Sequence, residues 1–176
     1  AGSGTTVLEA FLAGRRGVGC DIDPLALMLS KAKVTPLEAM QVAQVGSDIL
    51  KRAELAVKER RGALKRILEK RWDPKTRGFV NYWFAPETQI ELIALITQIE
   101  QIKDVRLRTF FRLAFSAIII TKSGGVSLAL DLAHTRPHRA KLVVDGEGKI
   151  VVGSDLVGGS SRRAGLLSKT LRSALR

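Results

Sequence analysis

The most constraining feature of the sequence is its opening segment, AGSGTTVLEAFLAGRRGVGCDIDPLA. Gly2 and Gly4 stand before a helix pattern over Thr5–Ala13, and glycine lets a backbone turn tightly and approach a ligand closely. Apolar and small residues alternate over Arg16–Ile22, which predicts a buried strand. Asp21 lies near the end of that strand, where doubly wound folds place an acid that accepts hydrogen bonds from ribose hydroxyls. The segment therefore predicts half of a site for a nucleoside-containing cofactor.

A second interpretation of the same segment needs no ligand. The glycines would form a tight turn between strand and helix, and Asp23 would cap the helix that begins at Pro24. Two common nucleotide patterns do not fit the segment. The dinucleotide pattern has a third glycine where Val7 stands, and the triphosphate pattern has a lysine after its last glycine, which is absent after Gly4.

The segment closely resembles the S-adenosylmethionine motif of the amino-group DNA methyltransferases, which act on adenine or cytosine. In that family Asp-Pro-Phe-Ala-Gly-Ser-Gly-Thr-Thr is followed by a helix and then by Gly-x-Asp/Glu-x-x-Pro. Ala1–Thr6 match the second part of the first motif, Asp21 matches the acid that holds the ribose, and Ile22 matches the apolar residue on the adenine ring. The resemblance implies S-adenosylmethionine as cofactor and methyl transfer to an exocyclic amino group in DNA. The cofactor-binding residues that it implies are Ala1, Gly2, Ser3, Gly4, Thr5, Asp21, Ile22 and Asp23.

Two motifs of that family are missing. The Asp-Pro-Phe before Ala1 and the strand that precedes it are not in the sequence. The tetrapeptide with Pro-Pro and an aromatic residue, which receives the target amino group and stacks on the flipped base, does not occur either. We therefore interpret the chain as an internal fragment that carries no catalytic residue. We expect it to bind S-adenosylmethionine weakly and not to methylate DNA by itself.

The charge of the chain indicates a polyanionic partner. Lys and Arg number 29 against 17 Asp and Glu, so the net charge is +12, and nucleic acid is the usual partner of such a surface. The segment HTRPHR, residues 134–139, predicts a loop that contacts phosphates, with a solvated surface loop as the alternative. The candidate residues are His134, Arg136, His138 and Arg139 of this segment and Lys141 after it. We predict no metal site at the two histidines, because Pro137 opposes a helix that would place them on one face.

The rest of the sequence predicts a mainly helical region followed by a small β-structure. Helix patterns cover residues 25–33, 37–71, 86–102, 105–121 and 166–175. The pattern over 105–121 is apolar on most sides and predicts a buried helix. Two β-branched runs, 141–144 and 149–152, flank Asp-Gly-Glu-Gly and predict a hairpin. The aromatic segment 72–84 is predicted to pack into the core, with base stacking as the alternative.

The predicted fold class is α/β. Residues 1–36 are expected to form a partial Rossmann-like methyltransferase core, made of the N-terminal β–α turn and the second strand. Residues 37–122 would be a mainly helical insertion. Residues 123–176 would be a basic hairpin and loop region that serves target recognition.

The composition also indicates the cellular compartment of the protein. The single cysteine, Cys20, is expected to be a buried thiol inside the predicted strand, and it excludes an internal disulfide framework. No apolar run approaches the length that spans a bilayer, so we expect a cytoplasmic protein with no membrane partner. DNA is the expected partner. The family resemblance also implies a restriction endonuclease as a protein partner. An RNA methyltransferase and a catalytically inert nucleic-acid-binding module are the alternatives.

Overall fold

The computed structural model describes residues 2–119, 125–130, 138–154 and 168–176. Within these ranges the chain is mixed α/β and mostly helical, with seven helices followed by three short strands. The helices are α1 Thr5–Leu12, α2 Pro24–Lys33, α3 Ala39–Glu59, α4 Arg61–Arg71, α5 Pro74–Trp83, α6 Pro86–Glu100 and α7 Val105–Ile119. The strands are β1 Leu142–Val144, β2 Ile150–Val152 and β3 Ser168–Thr170.

Two helices begin at the capping residues that the sequence contains. Asp23 is the N-cap of α2, and its carboxylate accepts a hydrogen bond from the backbone N–H of Leu25 at 2.8 Å. Asp73 is the N-cap of α5 and accepts from the backbone N–H of Lys75 at 2.9 Å. A proline follows each cap, where its missing N–H removes no helical hydrogen bond. The first two predicted helices are confirmed as α1 and α2.

The predicted long helix over 37–71 is divided into α3 and α4 at Arg60, whose φ of −121° leaves the helical region. Gly46 and Gly62, where the sequence allows a bend, both lie inside helices. The break lets α3 and α4 each pack on α6. α3 and α4 each have an apolar face. The break is therefore placed where both faces can pack on α6.

The main hydrophobic core is built around α6. Ile90, Ile93 and Ala94 of this helix are buried, and they pack with Ile49 and Ala53 of α3. Ala53 and Ala94 are both fully buried. These small side chains are placed where α3 and α6 pack against each other, so the two helices can approach closely.

The prediction that the helix over 105–121 is buried on most sides is wrong. All residues of α7 are described, and only Leu107 is buried. Arginines interrupt its apolar pattern, and a guanidinium needs solvent or an acid partner. Arg112, for example, donates from Nε to Glu100 Oε1 at 2.9 Å, at the end of α6. α7 therefore packs on α6 and α2 and keeps much of its surface in solvent.

The predicted hairpin is confirmed as β1 and β2. They pair antiparallel, with Val143 opposite Val152. The Asp145 carboxylate accepts from the backbone N–H of Lys149 at 2.9 Å and holds the turn. β1 lies in the middle of the sheet, because β3 pairs with its other edge in parallel, placing Lys169 opposite Val143. A second small core, which includes Leu128 and Val143, lies against this sheet.

The predicted helix over 166–175 is wrong in its described part, residues 168–175. Residues 168–170 form β3, and the next residues are held by contacts with distant parts of the chain. Glu91 of α6 accepts from Ser173 Oγ at 2.9 Å and from the backbone N–H of Ala174 at 2.7 Å. The ammonium of Lys169 donates to Ala129 O at 2.7 Å. Among these groups, the Ala174 N–H is a backbone donor that a helix would have satisfied locally and that Glu91 satisfies instead.

The predicted strand over 16–22 is also wrong. Val18 is 97% exposed and Ile22 is 99% exposed, and Cys20, expected to be buried, is exposed as well. A strand needs a neighbouring strand to bond its backbone groups, and in the described part of the chain no strand or β-bridge is formed with this segment. The Rossmann-like core expected for 1–36 is thus not seen in the described part of the chain.

Candidate functional site

The glycine turn before α1 has a conformation that requires glycine. Gly4 is the N-cap of α1, and its φ of +77° lies in the left-handed region that other residues rarely adopt. It packs against α2, because a Cβ added to it would lie 2.7 Å from Ser30 Cα. Ser30 is buried, and its hydroxyl donates to Ala26 O at 2.8 Å. The turn and α2 therefore meet at a distance that excludes any side chain at Gly4.

The structure brings the carboxylate of Asp21 to this turn. The backbone N–H of Gly2 donates to Asp21 Oδ2 at 2.7 Å, and that of Asp23 donates to Oδ1 at 3.0 Å. Hydrogen bonds to a carboxylate favour its charged form, and these two backbone donors hold Asp21 in that form. The side chain is therefore ionised at neutral pH. Both carboxylate oxygens therefore take part in fixing the position of Asp21 beside the turn.

Two hydroxyl groups and a lysine complete the turn. Ser3 Oγ and Thr5 Oγ1 lie 3.0 Å apart, within hydrogen-bond distance. The ammonium of Lys33, in the last turn of α2, donates to Ser3 O at 2.6 Å. Nothing in the sequence singles out Lys33, because lysine is common in the last turn of helices for reasons unrelated to ligands.

Gly17 allows the chain to pass closely beside α1. A Cβ added there would lie 3.0 Å from Ala10 Cβ and 3.3 Å from Val7 Cα. The third glycine of the dinucleotide pattern serves close packing of this kind, and in this chain the close contact comes from a glycine that follows the helix. The contact positions the segment that leads to Asp21.

The remaining residues predicted to hold the cofactor are Ile22, Asp23 and Ala1. Ile22 is almost fully exposed, so its side chain is accessible to a flat ring. The Asp23 carboxylate is engaged by Leu25 as a helix cap, the role that the second interpretation of the sequence gives it. Ala1 lies outside the described residues.

The predicted phosphate-contacting residues are described in part. His134 and Arg136 lie outside the described residues. His138 and Lys141 are exposed, whereas Arg139 is half-buried. Of the five candidates, the three described ones are therefore at or near the surface, as contact with a phosphate requires.

Arg139 joins this segment to α5. Its guanidinium carbon lies 4.8 Å from the centroid of the Tyr82 ring, and its Nε donates to Tyr82 O at 2.6 Å. A guanidinium over an aromatic ring is an attractive arrangement. Arg139 is therefore held in a defined position beside an aromatic side chain.

The aromatic segment around α5 is only partly in the core. Trp72, Trp83 and Phe84 are half-buried. Phe79 is 63% exposed and Tyr82 is 53% exposed, so the expectation of core packing is wrong for these two rings.

The described part of the chain shows neither a metal site nor a membrane-spanning helix. Among the described residues, no three His, Cys, Asp or Glu side chains lie close enough together to hold a metal ion. No helix in the described ranges combines the length and the apolar character needed to cross a membrane.

The chain is related to a methyltransferase. It is 32% identical over 123 residues to the type II methyltransferase M.MvaI of Kocuria varians, and the match covers 67% of this chain. The match covers 25% of the relative, so the chain spans about a quarter of the relative's length. No protein-family model matches the chain, and no solved structure matches it.

Proposed function

We propose that this chain is part of a DNA methyltransferase that takes a methyl group from S-adenosylmethionine and transfers it to an exocyclic amino group of adenine or cytosine. The observation that carries the proposal is the hydrogen bond from Gly2 to Asp21, which unites the glycine turn and the acid in one site. The similarity to a type II methyltransferase supports the class of reaction. The net charge of +12 supports a nucleic acid as the substrate.

The geometry of the turn fits a nucleoside cofactor. A Cβ on Gly2 would meet no atom within 4 Å, so the space beside the turn is open. The ionised carboxylate of Asp21 offers two oxygens to two neighbouring hydroxyl groups, which is the arrangement in ribose. The exposed side chain of Ile22 offers an apolar surface to a purine ring next to that sugar.

S-adenosylmethionine, when bound, supplies a methyl group on a positively charged sulfur. The residues of this chain would bind and orient it: the backbone of Gly2–Thr5 at the turn, and Asp21 at the sugar. Such orientation accounts for much of catalysis, because reacting groups held in line behave as if at very high concentration. We assign no residue here to the target amino group, since the sequence contains no Pro-Pro-aromatic motif.

Replacing Asp21 with alanine should weaken S-adenosylmethionine binding by about 10- to 100-fold, the effect of losing a charged hydrogen-bond partner. Because binding to the chain is expected to be weak, the measurement is an NMR titration of the backbone amides. The wild-type chain should show saturable shifts at Gly4, Thr5 and Ile22.

Glu9→Ala is the matched control, because it removes an exposed acid from α1 outside the turn. This variant should bind the cofactor as the wild type does. Equal affinities of the Asp21→Ala variant and the wild type would remove Asp21 from the site. A wild-type titration without shifts at the turn would contradict cofactor binding by this segment.

Binding to duplex DNA should fall steeply with salt, with a log–log slope of roughly −0.9 for each phosphate contacted. Replacing Arg136 and Arg139 together with alanine should weaken binding to every duplex sequence alike and reduce that slope by about 2, because phosphate contacts carry no base information. Fluorescence anisotropy over a range of salt concentrations measures both quantities.

Arg106→Ala with Arg112→Ala is the control of equal charge. Both arginines are paired with acids, Asp104 and Glu100, so their loss should leave the slope nearly unchanged. A slope that moves equally in the two double variants would show a general effect of net charge. Loss on one duplex sequence only would instead make these arginines readers of base edges, and tighter binding of RNA at equal salt would favour the RNA methyltransferase.

A further inference from the structure

The exposed face of α5 carries two aromatic rings side by side. Residues 75, 78, 79 and 82 follow helical spacing and share this face, and all four are exposed. Phe79 and Tyr82 are the large side chains on it. Gly78 shares the face, directly before Phe79 and one helical turn before Tyr82, and an added Cβ there would meet no atom within 4 Å. The surface beside the rings is therefore open.

The rings of Phe79 and Tyr82 both pack against the ring of Trp83. The Tyr82 and Trp83 rings meet edge to face, with centroids 4.9 Å apart at an angle of 89°. The Phe79 ring lies 6.4 Å from that of Trp83. Aromatic pairs at such distances attract one another. The rings are thus supported by the half-buried Trp83 and remain exposed to solvent.

Two cations lie at this face. Lys75 shares it with the rings, α5 contains no acidic residue, and Arg139 lies over the Tyr82 ring. The nearest acid in sequence, Asp73, is occupied as the helix cap: it accepts from the backbone N–H groups of Lys75 and Thr76. The face therefore combines flat apolar rings with cations, which suits an anionic polymer that carries flat rings of its own.

A protein partner fits this face less well. Aromatic residues and arginine also occur in protein interfaces, but the net charge of +12 and the cation over the Tyr82 ring favour a polyanion. A duplex also fits less well, because its bases are stacked on one another and show only their edges. Single-stranded nucleic acids expose the faces of their bases, and these stack on aromatic side chains.

We propose that Phe79 and Tyr82, together with Arg139, form a stacking platform for unpaired bases of the bound nucleic acid. The proposal rests on the proposed function, since it assumes that the chain binds nucleic acid. The platform holds bases by their faces, so it has little preference for sequence. The cations beside it, Lys75 and Arg139, hold the phosphates of the same strand.

The test uses the full chain and compares a single-stranded oligonucleotide with the duplex of the same sequence by fluorescence anisotropy. Phe79→Ala should weaken binding of the single strand by about 5- to 100-fold, the loss per stacked base. Binding of the duplex and the salt slope should not change, because no phosphate contact is removed. Phe79→Leu keeps an apolar side chain without an aromatic face and should show the same selective loss.

Phe11→Ala is the matched control, since Phe11 is an aromatic residue of α1 with 46% exposure. It should leave both affinities unchanged. Equal loss for single strand and duplex, or no loss for either, in the Phe79 variants would overturn the stacking platform while leaving the proposed function intact. A wild-type chain that binds neither form of DNA would contradict the proposed function itself, and the platform with it.

Discussion

Replacing Gly4 with alanine is expected to destabilise the α1–α2 region by about 3 kcal/mol. One part of this cost is the backbone conformation, because a left-handed φ costs a residue with a Cβ about 1–2 kcal/mol. The other part is steric. The new Cβ would lie 2.4 Å from Ser30 Oγ and 2.7 Å from Ser30 Cα, so α2 would have to move away from the turn. Urea unfolding followed by NMR signals from this region measures the change.

Gly14→Ala separates the two parts of that cost. Gly14 follows α1 and has a similar φ of +65°, but an added Cβ there would meet nothing within 4 Å. This variant should lose only the conformational part, about 1–2 kcal/mol. It should also bind S-adenosylmethionine like the wild type, whereas Gly4→Ala should lose binding. If the two variants lost equal stability, the close contact between Gly4 and Ser30 would not exist in solution.

Replacing Ile93 with alanine is expected to lower the free energy of unfolding by about 2–5 kcal/mol. Ile93 is 4% exposed and belongs to the core around α6, which α3 and α4 both contact. Removing most of its side chain would lose buried apolar surface and leave a cavity that the surrounding helices could fill only in part. Chemical denaturation with far-ultraviolet circular dichroism measures the loss.

Leu55→Ala provides the comparison for Ile93. Leu55 is on α3 and is 52% exposed, so its truncation should change stability by about 0.5 kcal/mol or less. A large loss at Leu55 with a small loss at Ile93 would place the core elsewhere. The pair tests directly whether α6 organises the helical region.

Local signals in the sequence were sufficient to predict several helices and strands. Asp23 with Pro24 fixes the start of α2, and the Asp-Gly-Glu-Gly turn fixes the hairpin, because capping and turn preferences act over a few residues. The glycines and Asp21 also have a spacing that indicates a shared site, and the structure places Gly2 and Asp21 in contact. Their role with a cofactor remains a prediction. The division of the chain at residues 36 and 122 also remains a prediction.

Other features depend on partners that are distant in sequence. The alternation over 16–22 predicts a strand only if a neighbour is present to pair with it. The apolar run of 105–121 gives no sign that Arg112 would pair with Glu100 and keep one face of α7 in solvent. The exposure of Phe79 could not be predicted either, because aromatic residues in such clusters are more often buried than exposed.

The parallel pairing of β1 with β3 has a consequence for the order of assembly. Contacts between neighbouring segments close small loops and form quickly, whereas distant strands must wait for a larger loop to close. The turns within each helix and the β1–β2 hairpin are made of such neighbours, but β3 joins β1 from a later part of the chain. During synthesis on the ribosome the helical region can therefore be complete while β3 is still inside the exit tunnel. The hydrogen bonds from Ser173 and Ala174 to Glu91 of α6 therefore form after the helical region is in place.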